Sequence, residues 1–231
     1  MSPGSAVPST RPSTRRRDPA RPWYRFAQTL FPAEPGHWVD LGCGQGEFTR
    51  LANLAGGQST PIPIALDRSQ ANVVSAKASG ANALSADLEV SLPFAKASLD
   101  GASLIEVIEH IPTAEALVDE LARILRPGGW LIVTTPNVAH FTYRLRSLTG
   151  HPPKQEGYHF RFFTQKTLRH CLESRGFSIE ARASYGKQAL LTKLFRLAGR
   201  DRGFKFRYRV PTALEPLLAQ HLVWRLRRVS G

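Results

Sequence analysis

The stretch His37-Trp38-Val39-Asp40-Leu41-Gly42-Cys43-Gly44-Gln45-Gly46-Glu47-Phe48 reads as a strand that runs into a glycine turn and then a helix. Glycines at such a turn permit positive φ and let a ligand approach the backbone with no Cβ in the way. The helix start behind them leaves N–H groups facing outward. Nucleotide, flavin and nicotinamide sites all share this arrangement, so two details have to narrow it. The spacing Gly42-x-Gly44-x-Gly46 is not the Gly-x-Gly-x-x-Gly of dinucleotide folds. Asp40 lies within the strand end, where a carboxylate repels a pyrophosphate but favours a cation such as a sulfonium or an amino group.

Working outward, apolar strand-like runs alternate with helix-like segments. The strands are expected at His37–Leu41, Pro61–Leu66, Ala81–Ser85, Gly101–Ile105 and Trp130–Thr135, with helices over Glu47–Ala55, Ser69–Ser79 and Thr113–Leu125 between them. Continuous apolar strands of this kind are covered on both faces, and the alternation implies right-handed βαβ units in a doubly wound, Rossmann-like α/β domain. Ser69 is expected to cap its helix, and Pro127-Gly128-Gly129 to stop the helix before it. Asp67 ends the second strand about 20 positions past the last glycine, the place of an acid that bridges ribose hydroxyls. Asp87 follows the third strand, suited to accept from an adenine amine. Three acids at successive strand ends converge on the carboxyl edge of the sheet, where open α/β sheets bind ligands.

Val39 to Gly46, Ala65-Leu66-Asp67, Ala86-Asp87-Leu88, Glu106-Val107-Ile108-Glu109-His110 and Leu125 to Gly129 resemble the class I S-adenosylmethionine-dependent methyltransferases, in the branch that holds ubiquinone-pathway O-methyltransferases. The resemblance spans residues 37–185. It implies the strand order 3-2-1-4-5-7-6, with His221–Arg228 as an antiparallel seventh strand. It also implies S-adenosyl-L-methionine as cofactor, held by Asp40, Gly42, Cys43, Gly44, Gly46, Asp67, Arg68, Asp87, Leu88 and Glu106. The implied reaction is methylation, most readily at oxygen, of a small or lipid-like acceptor.

If the chain turns helically after the fourth strand, Glu106, Glu109 and His110 share one face, and His159 is placed to join them. Such a set suits Mg²⁺, Mn²⁺ or Zn²⁺ and is similar to the metal-binding segment of some ubiquinone-pathway and small-RNA methyltransferases. A metal there lowers the pKa of the acceptor hydroxyl. Without one, His110 or His159 is the candidate general base, or catalysis is alignment alone.

The chain of 231 residues carries +13, and the excess sits at its ends: +4 over residues 1–22, +9 over 185–231 and none between. Residues 1–21 read as a disordered basic tail, and 22–231 as a single methyltransferase domain with a basic, aromatic insertion at about 186–220. That insertion suits three roles: resting on an anionic membrane, stacking on RNA bases, or packing as a surface hairpin. An RNA-modifying methyltransferase and a non-catalytic cofactor-binding regulator therefore stand as alternatives. Cys43 and Cys171 make no disulfide framework, and no apolar run reaches the roughly 20 residues of a membrane span, so a cytoplasmic protein is expected. Between Pro136 and Thr164 the sequence predicts a long ordered loop, then a helix over Thr164–Gly176 and a strand over Phe177–Tyr185.

Overall fold

The computed structural model describes residues 21–55, 63–152, 159–187 and 207–229. A first helix, α1 (Pro22–Gln28), precedes the alternating part: β1 (Trp38–Leu41), α2 (Glu47–Ala55), β2 (Ile64–Asp67), α3 (Gln70–Ala78), β3 (Asn82–Ser85), β4 (Leu99–Ile105), α4 (Ala114–Ile124) and β5 (Leu125–Pro136). There follow α5 (Phe141–Leu148), α6 (Gln165–Glu173), β6 (Phe177–Arg182), β7 (Tyr185–Lys187), β8 (Arg207–Arg209) and β9 (His221–Arg228).

The sheet runs β3-β2-β1-β4-β5-β9, its first five strands parallel and β9 antiparallel to β5, with β6 antiparallel on the far side of β9. This is the expected order 3-2-1-4-5-7-6; the last strand is ninth by count because β7 and β8 form an added antiparallel arm. All four residues of β1 are buried, as its central position demands. Val39 and Leu41 face one side, in a core with Leu66, Leu104, Leu117 and Leu121. Trp38 faces the other, with Phe48, Trp130 and Ala27 of α1.

Local chemistry explains most element ends. The Ser69 hydroxyl accepts from the Asn72 N–H as the cap of α3, and Thr164 forms a reciprocal capping box with Thr167 at the start of α6. Three expectations need correction. Pro127-Gly128-Gly129 lies within β5 rather than behind a helix: α4 ends at Ile124, and β5 bulges between its pairings Leu99↔Leu125 and Gly101↔Trp130. The expected loop between Pro136 and Thr164 contains α5, whose weak sequence signal comes from facing solvent. The strand expected over Phe177–Tyr185 breaks at Ala183–Ser184, where the Ser184 hydroxyl turns to the buried Glu215 carboxylate. That carboxylate also accepts from Trp224 Nε1 at 2.9 Å, Gln165 Nε2 at 2.8 Å and Arg182 Nη1 at 2.8 Å. The tail 1–20, the strand start at Pro61, and residues 188–206 of the insertion lie outside the described residues.

Gly101 in β4 sits directly beneath the Trp130 indole, and a Cβ there would lie 1.9 Å from the ring. The indole is also fixed by its N–H, which donates to the Pro35 carbonyl at 3.0 Å. Gly101→Ala therefore forces the ring out of the core and is expected to cost about 3 kcal/mol in urea unfolding, the upper end for an overpacked core. A midpoint equal to that of the parent protein would contradict this packing.

Candidate functional site

The glycine turn sits at the carboxyl end of β1, and Asp40 lies beneath it with 1% of its surface exposed. One carboxylate oxygen accepts from the Thr49 hydroxyl of α2 at 2.5 Å, the other from the Ser103 hydroxyl of β4 at 2.7 Å. Burial pushes its pKa up to about 6 against the pull of these hydrogen bonds. Above the carboxylate, Gly42 and Gly44 have φ of 69° and 55°. A Cβ on Gly42 would strike Val107 at 2.5 Å, whereas a Cβ on Gly44 would meet nothing within 4 Å. The second glycine therefore faces open space suited to a ligand. Burial, and then the charges of Asp40 and Asp67, push the Cys43 thiol up to about 12, so it stays neutral and is no nucleophile.

Asp67 ends β2 beside this turn. Its Oδ2 accepts from the Gly44 N–H at 2.8 Å, and its Oδ1 accepts from the Ser69 N–H at 2.8 Å and from Asn72 Nδ2 at 3.0 Å. Asp87 lies just beyond β3 and accepts from the Glu89 N–H at 3.0 Å, with Arg68 Nε 3.8 Å away; Leu88 next to it is buried. Glu106 leaves β4 at φ 58°, its N–H donating to Thr134 Oγ1 at 2.9 Å while its Oε1 accepts the Thr134 hydroxyl proton at 2.8 Å. The structure thus brings the turn, Asp67, Asp87, Leu88 and Glu106 to one edge of the sheet.

The other candidates separate. Ile108–His110 form a single tight turn, but Glu106 precedes it in the left-handed region. Its carboxylate points to Thr134 and to His221 Nδ1, 3.0 Å away, so it does not share a face with Glu109 and His110. Donor atoms of Glu109, His110 and His159 do converge, all within 4.8 Å of one another. His159 is brought there by the Phe160 and Arg161 N–H groups, both of which donate to the Glu109 carbonyl at 3.0 Å. Arg161 anchors the same loop through an ion pair to Glu115 and a bond to the Pro112 carbonyl at 3.1 Å. The Glu109 carboxylate is 2% exposed; its Oε2 accepts from Thr135 Oγ1 at 3.1 Å, while Oε1 has no partner among the described residues. Burial and the charge of Glu106 raise its pKa well above the ordinary range. A shallow cleft opens at this cluster, lined by Glu109, Pro136, Val138, Tyr143, His159, Arg161 and Phe162.

Sequence reasoning missed a ring stack behind Glu106. His221 lies between Trp23 and Tyr185, with ring centroids 4.9 and 5.2 Å away, and Phe26 stacks on Tyr185 at 4.7 Å. These residues come from α1, β7 and β9; the β5–β9 register sets His221 opposite Pro136, and the β7–β9 pairing sets it opposite Tyr185. No local motif marks them. Thr49 and Ser103 were equally silent, being hydroxyls whose partner lies on another element.

With this geometry in place, comparison with known proteins is decisive. The methyltransferase-domain family matches residues 13–182. The chain belongs to this family, and S-adenosylmethionine is its cofactor. An O-methyltransferase of Aspergillus sclerotiorum is 31% identical over 154 residues, covering 62% of this chain and 55% of that protein. A ubiquinone biosynthesis O-methyltransferase of Paracidovorax citrulli is 28% identical over 111 residues, 47% of each. The chain spans about half the length of these two relatives. A SAM-dependent methyltransferase from Thermotoga maritima superimposes with a TM-score of 0.63 at 21% identity, covering 89% of this chain and 87% of that one, a likeness of fold.

The buried Asp40 generates a stability test. Its raised folded-state pKa means that its proton favours the fold at low pH, and this contribution is lost as pH rises from about 4 to above 6. Two pKa units correspond to about 3 kcal/mol. An asparagine can accept from one hydroxyl and donate to the other, so Asp40→Asn is expected to be more stable than the parent at about pH 8, with the gap closing below pH 4. Chemical denaturation at the two pH values measures it; a variant less stable at both would contradict the burial of a charge there.

Proposed function

We propose that this protein transfers the methyl group of S-adenosylmethionine to a hydroxyl oxygen of a small or lipid-like acceptor held in the cleft beside His159. The observation that carries this reading is the adjacency of two features on one sheet edge. One is the glycine turn with its row of strand-end acids; the other is a cleft whose floor is Glu109 and His159.

Gly42, Cys43, Gly44 and Gly46 would form the cradle for the amino-acid end of the cofactor, with Glu106 as the nearby carboxylate for its ammonium. Asp40 acts as the brace beneath the turn, since both of its oxygens are engaged by hydroxyls. Asp67 takes the ribose hydroxyls, releasing the Gly44 N–H to the ligand. Asp87 and Leu88 take the adenine, with Arg68 at its margin. When bound, S-adenosylmethionine would supply an electrophilic methyl group: the acceptor oxygen would form the new bond to carbon as the sulfur leaves with the old bonding pair as the neutral thioether. Holding oxygen, carbon and sulfur in line supplies much of the acceleration.

The acceptor's proton needs a destination. His159 lines the cleft and takes it, while His110, whose ring centroid is 4.8 Å away at 70°, orients that imidazole. Neutral imidazole is the right acceptor near physiological pH.

A second reading has its own support. Glu109 Oε1 is a buried oxygen without a partner among the described residues, in a cluster with two imidazoles where one donor atom from each residue lies within 4.8 Å of the others. Glu109, His110 and His159 fit a divalent cation, which would also relieve the cost of the buried carboxylate. When bound, such an ion acidifies a hydroxyl that coordinates it. Activity in the presence of a chelator separates the two readings.

Two outcomes are expected. Asp67→Ala should weaken S-adenosylhomocysteine affinity at least about tenfold, or about 1.4 kcal/mol, by calorimetry. His159→Gln should lower kcat for a hydroxylated acceptor by about a hundredfold, the lower range for a general base, with cofactor affinity unchanged. Release of S-adenosylhomocysteine across phenolic, alcoholic and amine acceptors measures the latter. Turnover of amines alone would overturn the oxygen assignment.

A further inference from the structure

Helix α5 is unusual in burying nothing. Of its eight residues Phe-Thr-Tyr-Arg-Leu-Arg-Ser-Leu, seven are exposed and only Tyr143 is half-buried. Phe141, Leu145 and Leu148 recur at i, i+4 and i+7 and so share one face. That face points to solvent, with exposures of 42, 61 and 83%. Tyr143 lies on the opposite side and lines the cleft at His159. Two more rings stand beside it: Phe160 at 61% exposure and Phe162 at 44%, the latter also a cleft wall. The Val138 N–H, donating to the Phe163 carbonyl at 2.9 Å, ties this aromatic stretch to the segment that leads into α5.

An apolar ridge of this size does not face water without reason on a soluble surface. Eight residues are also too few to hold a helix by themselves. Its charge identifies the occupant. Residues 137–152 contain Arg144 and Arg146 and no carboxylate, while the Arg161 guanidinium nearby is paired with Glu115. Apolar side chains flanked by the guanidiniums of Arg144 and Arg146, with no carboxylate on the helix itself, complement an anionic lipid surface. The leucines and phenylalanines enter the acyl boundary and the arginines meet the headgroup phosphates.

We propose that α5, with Phe160 and Phe162, docks the protein on an anionic lipid surface and sets the mouth of the cleft against it, so that the acceptor enters from the lipid. The proposal rests on the reading of the cleft as the acceptor site for its second clause only. It places the lipid contact on the cleft rim.

The test is flotation of the full chain with phosphatidylcholine vesicles, with and without phosphatidylglycerol. Wild type is expected to float with the anionic vesicles only. Leu145→Asp combined with Leu148→Asp should cut that binding by about tenfold or more, while leaving S-adenosylhomocysteine affinity unchanged. A charge-matched control, Leu54→Asp with Val74→Asp on the exposed faces of α2 and α3, should bind vesicles nearly as wild type does. Equal loss in both pairs would reduce the effect to bulk charge and overturn the proposal. Wild-type binding by the α5 pair, or no wild-type binding, would overturn it as well. Amide exchange over 141–148 should slow on anionic vesicles; unchanged exchange there during vesicle binding assigns the contact elsewhere. Because none of these readouts involves turnover, they succeed or fail independently of methyl transfer.

Discussion

The carboxylate of Asp40 joins three elements that the cofactor site requires: β1, which carries it; α2, through Thr49; and β4, through Ser103. With 1% exposure it is held by hydroxyls rather than by a cation, and the cost of its burial appears as a pKa of about 6. The strand ends on either side inherit their spacing from this contact. The turn above it can then close tightly enough for Gly42 to touch Val107 while Gly44 opens outward. Stability is given up at the point where the ligand binds, a common arrangement for buried polar groups at sites.

The next link is the hand-over at Asp67. In the structure its carboxylate is satisfied by backbone and amide donors, including the Gly44 N–H. A ribose diol offers two donors against the three that the carboxylate accepts here, so a ligand can replace two of the protein's own partners without leaving the acid unpaired. On the proposed reading the glycine turn and Asp67 act as one device, preformed and exchangeable.

Much of this was legible in the chain. The apolar runs make the parallel sheet readable because strands covered on both faces are mostly apolar, as in Val39, Leu41, Ala102 and Leu104. The acids at 40, 67 and 87 are readable because each lies at or just past the end of a strand. Legibility fails where the partner is distant in sequence. Helical spacing put Glu106 with Glu109 and His110, but a left-handed residue at 106 sends its carboxylate to Thr134 and His221 instead. Helix α5 escaped because its apolar residues face outward, where the inward-facing rule has nothing to read. The Trp23–His221–Tyr185 stack depends on the pairing of β9 with β5 and β7, which no local window contains.

The hand-over can be observed directly in an amide correlation spectrum of the ¹⁵N-labelled protein titrated with S-adenosylhomocysteine. The account predicts that the Gly44 and Ser69 amides, both bonded to Asp67, shift strongly as the ligand saturates, while amides such as Ala139 stay in place. Saturable binding that leaves Gly44 and Ser69 unmoved would contradict it.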